Sequence, residues 1–183
     1  MYYKEIAISL AAAWGLFYSY ALYHNDFKLS FLIDRSIVIE NKTPDQVFKY
    51  IIDKRNYPLG MVKGLYEIDP ANAPTNSMIV GKTKFKVDLE KLGKTDVVLS
   101  HWSPKQYPYQ FGWVGVMVHK YIFSGDHYFV VAEDLDKRNT KLVHREMITG
   151  LNTPVVRLWH EWTGYIEYYT TYLQDVKKYM AMM

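Results

Sequence analysis

Six histidines are the first residues to test for chemistry, at positions 24, 101, 119, 127, 144 and 160. None falls in an H-E-x-x-H pair or another metal-ligand spacing, so no metal site is expected. Cysteine is absent, which excludes disulfides, zinc–thiolate and iron–sulfur centres and a thiol nucleophile. There is no G-x-S-x-G elbow, no P-loop and no dinucleotide fingerprint. His144 and Glu146 stand two apart in TKLVHREMIT, a spacing that puts both on one face of a strand. With His127 on a neighbouring strand they would form a polar cluster able to orient a ligand carbonyl or hydroxyl. The commoner arrangement is a hydrogen-bonded or solvated pair on the outer sheet face, and that is the favoured placement. Strand phase stays open, because Val143 and Met147 compete with Leu142 and Ile148 for the inside. His160-Glu161 reads as a helix-surface pair. Nothing here makes a catalytic set.

Those residues need elements to hold them. Arg35–Glu40 (RSIVIE) reads as a strand, and Thr43-Pro44 as a cap and first residue of a short amphipathic helix over 44–53. Strand patterns follow at 64–69, 82–90, 96–102, 111–120, 127–134 and 141–149, separated by turn signals that include Ser124-Gly125-Asp126. The short breaks imply antiparallel hairpins. After Asn152-Thr153-Pro154, apolar residues recur at Val155, Trp159, Trp162, Ile166, Tyr169, Leu173, Val176 and Met180. Their steps of four and three predict one long helix with a single stripe against the sheet.

The N-terminal stretch Ile6–Tyr23 (IAISLAAAWGLFYSYALY) carries no charge over eighteen residues. As a helix it spans about 27 Å, close to a bilayer's hydrocarbon thickness. Tyr2 and Tyr3 at one end and Tyr18, Tyr20 and Tyr23 towards the other resemble an interfacial belt. A cleaved signal is disfavoured: MYYKE balances one Lys against one Glu, and the small residues Ala11–Ala13 sit mid-run. The division expected is a transmembrane anchor over 1–25, a linker over 26–34 and a folded domain over 35–183. Orientation is not fixed by the nearly balanced flanking charges.

Lys and Arg number 22 against 19 Asp and Glu, a net charge of +3 without a basic stripe, so nucleic acid is not an expected partner. Seventeen Tyr, eight Phe and five Trp give an aromatic share of 16%, suited to membrane interfaces, cavities and protein contacts.

The phrases SIVIENKTPDQVFKYIIDKRNYPLGM and TKLVHREMITGLNTPVV, with the order of elements between them, resemble the START-like (SRPBCC) superfamily of birch-pollen-allergen-type proteins and polyketide cyclases. The resemblance covers about residues 34 to 180. It implies an α+β helix-grip fold, a curved antiparallel sheet around a long C-terminal helix, here preceded by one transmembrane helix. It also implies a space between sheet and helix that takes lipids, quinones, polyketides or hormones in some members. Candidates to line or plug that space are Trp102, Trp113, Met117, His127, Phe129, His144, Glu146, Trp159, Trp162, Ile166 and Tyr169, core packing being the commoner role for each aromatic. The function expected is a non-catalytic accessory subunit of a membrane protein complex, with membrane lipid and complex subunits as partners. Family analogy suggests the respiratory chain and the mitochondrial inner membrane. The alternative is a tethered binder of a lipid or quinone, resembling coenzyme-Q-binding START-domain proteins. No cofactor is expected beyond such a bound lipid or quinone.

Overall fold

The computed structural model describes residues 2–57, 62–67, 78–90, 93–117, 119, 121–136 and 138–183. Helix α1 (Tyr2–His24) leads into strand β1 (Ser30–Ile39) and helix α2 (Pro44–Ile52). Strands β2 (Val62–Glu67), β3 (Lys84–Leu89), β4 (Gly93–Ser103), β5 (Tyr109–Met117), β6 (Phe123–Glu133) and β7 (Thr140–Thr149) follow, then helices α3 (Thr153–Thr163) and α4 (Glu167–Ala181). The strands make one antiparallel sheet in the order β1-β7-β6-β5-β4-β3-β2. The chain meanders from β2 to β7, and β1 closes on β7. One sheet face is covered by α2, which packs on β5, β6 and β7, and by α4, which packs on β1 and β7.

α2 starts where the sequence says. Thr43 accepts from the Gln46 amide while the Gln46 side chain accepts from the Thr43 amide, a reciprocal capping box, and Pro44 opens the helix. Its Val47, Phe48 and Ile51 are buried in the core. Phe85, Phe111, Phe129, Leu142, Tyr169, Tyr172 and Val176 fill the middle of that core, each almost wholly inaccessible.

Three expectations change. β1 takes in most of the stretch expected as a linker, since Ser30–Asp34 pairs residue by residue with Thr149–Arg145. The turn expected at Ser124-Gly125-Asp126 is inside β6, paired to both β5 and β7. Glycine serves there because a Cβ at position 125 would lie 2.6 Å from Glu146 Oε1. The single C-terminal helix is two helices. Gly164 caps α3 in the left-handed region, φ +64°, and turns the chain before α4 begins. The expected stripe therefore holds in α4, where Tyr169, Leu173, Val176 and Met180 are buried. It fails in α3, where Leu158 points inward and Trp159 and Trp162 are 37% and 70% exposed. The turn-forming residues Asn56–Gly60 follow α2 in the sequence, and the last three of them, Pro58–Gly60, lie outside the described residues.

Candidate functional site

β6 and β7 build the site by alternation. Gly125, His127 and Phe129 on β6, and His144, Glu146 and Ile148 on β7, share the face under α4, which settles the strand phase. His144 and Glu146 are therefore inside rather than on the outer face favoured from sequence. The outer residues Arg145 and Met147 are more exposed, and Arg145 is tied to Asp34 at 2.8 Å.

The polar groups form a chain. The Tyr169 hydroxyl, from α4, donates a hydrogen bond to Glu146 Oε2. The same oxygen lies 3.7 Å from His127 Nδ1. His127 Nε2 then meets His144 Nε2 at 3.0 Å. Which of the two imidazoles donates across that contact depends on their tautomers. His144 Nδ1 is left buried without a hydrogen-bond partner. The Trp113 ring stacks on His127 at 4.6 Å, and Phe129, Tyr169 and Tyr172 enclose His144. Burial, reinforced by the neighbouring His127, holds the His144 imidazole well below its usual pKa, so it stays neutral. Burial also lowers His160, against a smaller opposing pull from Glu146. Burial raises the Tyr165 and Tyr172 hydroxyls.

Trp113, His127, Glu146, Tyr169, His160 and Tyr165 wall a cavity between sheet and helices. Its volume is only about 90 Å³. Sites for drug-sized ligands run from roughly 300 to 1,000 Å³. This one has room for a few waters or a very small polar molecule. Within it, Glu146 is an acceptor and His127 a donor or acceptor, connected through His144 to the core. Such a set can hold a small polar molecule by hydrogen bonds.

The remaining candidates are dispersed. Phe129 and His144 lie one layer deeper than the cavity wall. Trp102 packs against Phe48 and Phe111 beside α2. Ile166 lines a separate open groove of about 480 Å³ with Asn25, Lys28, Arg35, Arg157 and Glu161. Trp162 is on the outside, 6.5 Å from the Phe17 ring. Trp159 sits on the same outward side of α3. Met117 ends β5, and its side chain lies outside the described residues. Among the described residues no three His, Asp or Glu side chains converge as metal ligands.

One polar cluster was not anticipated from sequence. Asp126 accepts from Ser100 Oγ at 2.6 Å and contacts His101 Nε2 at 3.0 Å. A bulge between Leu99 and His101 brings the two neighbours to the same aspartate. The residue types match a hydrolytic triad, but the order of contacts does not. Aspartate bridges serine and histidine, whereas an activated serine needs the histidine between them. The cluster ties β4 to β6.

No protein-family model matches the sequence, and neither does any curated protein sequence. Solved structures do match the shape. A hypothetical protein from Helicobacter pylori superposes with a TM-score of 0.63 at 13% identity, over 82% of this chain and 88% of that one. An aromatase/cyclase from a Streptomyces species gives 0.56 at 9%, over 83% and 94%. Norcoclaurine synthase from Thalictrum flavum gives 0.55 at 10%, over 84% and 95%. The fold is the helix-grip fold. At these identities the likeness reaches the path of the chain and no further. Two of the three helix-grip neighbours are enzymes by name, and the third has no assigned activity. In this helix-grip chain, Trp113, Tyr165 and Tyr169 are among the residues that wall the cavity under the C-terminal helices.

α1 stands apart from that core. Residues 5–16 are exposed all round, whereas Phe17, Tyr18, Ala21, Leu22 and Asn25 turn towards the domain. The 20-residue stretch Glu5–His24 is long and apolar enough to cross a membrane. Its domain end is fastened at several points. Tyr18 Oη donates to the Leu151 carbonyl at 2.7 Å, Arg157 donates to Asn25 Oδ1 at 2.8 Å, and His24 lies 3.7 Å from Glu161.

Proposed function

We propose that this protein is a membrane-anchored, START-like accessory subunit of a larger membrane protein complex, working by binding rather than by catalysis. One contrast carries the reading. The cavity walled by Trp113, His127 and Glu146 measures only about 90 Å³, while apolar surface is displayed outside, with Ile8, Leu10, Trp14 and Leu16 between 59% and 75% exposed. A helix apolar on all sides and exposed in water costs free energy along its length, so lipid or protein must cover it. Family analogy proposes the mitochondrial inner membrane and the respiratory chain as the setting. A lipid or quinone carrier is the less favoured form, because either ligand would have to displace Trp113, Tyr165 and Tyr169 from the cavity.

The buried chain of Tyr169, Glu146, His127 and His144 favours a second, narrower reading: a small polar molecule bound at Glu146 and His127. Native mass spectrometry of the full chain, purified from its source in mild detergent, separates the readings. The accessory role predicts stoichiometric partner subunits and no retained small molecule. A solitary chain carrying one small molecule would replace it with the binding role.

A further inference from the structure

The domain and its apolar helix are not joined by a loose tether. After α1, Asp26 and Phe27 adopt left-handed backbone, φ +52° and +58°, in a turn closed by Phe27 N–H to the Leu22 carbonyl at 2.8 Å and Lys28 N–H to the Asn25 carbonyl at 2.9 Å. β1 begins three residues beyond Phe27. With the Tyr18–Leu151 and Asn25–Arg157 bonds, this turn fixes the pose of the helix on the domain.

That pose conflicts with a domain standing clear of the bilayer. The uncharged run is bounded by Glu5 on one side and by His24 and Asp26 on the other. Its eighteen residues, about 27 Å, are all needed to match a hydrocarbon layer of about 30 Å. Only Ile6–Leu16 is clear of the domain, and eleven residues of helix reach about 16 Å, roughly half the layer. The rest, Phe17–Tyr23, lies against α3 and its leading turn. If α1 crosses the membrane in this pose, the part of the domain beside Phe17 and Tyr18 must enter the interfacial layer.

The residues at that level suit such a place. Leu151 precedes α3 and Trp162 is near its end, yet both meet the same turn of α1, at Tyr18 and Phe17. Leu151, Trp162 and Trp14 are 52%, 70% and 59% exposed. Tyr121, 67% exposed, adjoins Leu151 through its carbonyl, which accepts from the Leu151 amide at 2.9 Å. Tryptophan and tyrosine are the residues that prefer the headgroup boundary. The polar contacts come later along the helix. His24–Glu161 and Asn25–Arg157 lie seven residues past Phe17 and Tyr18, about 10 Å further along the axis. An apolar edge backed by a charged layer at that distance matches the depth profile of an interfacial segment, whose apolar face sinks roughly 5–10 Å.

We propose that the domain is seated directly on the bilayer entered by α1, with Leu151, Trp162 and Tyr121 immersed among the lipid headgroups. This seating rests on the anchor reading of α1, and the test keeps the two apart. Because the chain has no cysteine, single nitroxide labels can be placed at Ile8→Cys, Leu151→Cys, Trp162→Cys and Leu135→Cys without altering a native thiol. Leu135 is in the β6–β7 hairpin, at the opposite end of those strands from Leu151, and is fully exposed. The full-length variants are reconstituted in phosphatidylcholine vesicles, checked for fold by circular dichroism, and read for accessibility to oxygen and to a water-soluble nickel chelate. Expected are a deep reading at Ile8→Cys, an aqueous one at Leu135→Cys, and interfacial readings at Leu151→Cys and Trp162→Cys, with an oxygen-to-nickel ratio several-fold above Leu135→Cys. Readings at both sites as aqueous as Leu135→Cys, with Ile8→Cys still deep, would overturn the seating and leave the anchor intact. Inaccessibility to both reagents at Trp162→Cys would mean protein covers the site and would also overturn it. An aqueous reading at Ile8→Cys would remove the anchor and the seating together.

Discussion

Individual histidines set the pH response of the fold. His144 is neutral when folded because burial lowers its pKa well below the ordinary 6.5. Below about that pH the unfolded chain takes up a proton that the folded chain refuses. Stability is then complete above the unfolded value and falls below it, by up to about 1.4 kcal/mol per pH unit for such a group. His160 acts in the same direction, its burial outweighing Glu146. His101 opposes both. Its hydrogen bond to Asp126 outweighs burial and raises its pKa, so its contribution is full below 6.5 and is lost as pH rises through the raised value. The expected net result is a urea midpoint that drops between pH 7 and pH 5. His144→Gln should flatten that drop, and an unchanged pH slope in this variant would sink the assignment. The same cluster gives a second expectation. Tyr169→Phe removes a hydroxyl donor from a partly buried carboxylate and should cost about 2 kcal/mol. Tyr172→Phe loses only a 3.3 Å contact with the Tyr57 hydroxyl and should cost less, both read from urea denaturation.

Elements depend on their terminal residues. Gly164 ends α3 at φ +64°, and a Cβ there would meet nothing within 4 Å. Gly164→Ala therefore isolates the backbone cost of left-handed geometry, about 1–2 kcal/mol of stability by denaturant titration. Thr43→Ala should cost about 1 kcal/mol by removing half of the capping box, whereas Thr43→Ser should cost little. The two positions differ in how well sequence announces them. Thr43-Pro44 with Gln46 is a local signal, and α2 runs from Pro44 as expected. Gly164 sits within an apolar recurrence that continues through it at steps of three and four. The periodicity counts positions along the chain and cannot register a change of direction between Thr163 and Glu167. Ser124-Gly125-Asp126 misleads in the opposite sense: its residue types favour turns, but Gly125 stands inside β6, where a Cβ would meet the end of the Glu146 side chain.

The whole molecule combines a packed domain with an exposed apolar helix. α1 is apolar on every side over residues 6–16 and acquires a directed face only from Phe17 onward, where it meets the domain. A charge in the first part should therefore act on membrane insertion and leave the domain folded. Leu10→Arg places an arginine near the middle of the run, at a cost of about 2.5–3.5 kcal/mol for insertion. The variant should move from the carbonate-resistant membrane fraction towards the soluble fraction, with the circular dichroism of the domain unchanged. Retention equal to the parent chain would argue that α1 is held by protein contacts rather than by lipid.

Short-range signals in the sequence determined the uncharged N-terminal run, the capped α2, the succession of strands and the apolar stripe of α4. Each depends on neighbours within a few positions, where spacing and residue type are sufficient. Tertiary structure decided what depends on several elements at once. His127, His144, Glu146 and Tyr169 come from β6, β7 and α4, and their meeting requires the strand phase that the pattern around Val143 and Met147 left open. Trp113, Tyr165 and Tyr169 converge on the cavity from β5, from the turn between α3 and α4, and from α4. In α3 Trp159 and Trp162 are exposed, Trp162 beside Phe17 of α1, contrary to the single stripe against the sheet that the spacing predicts.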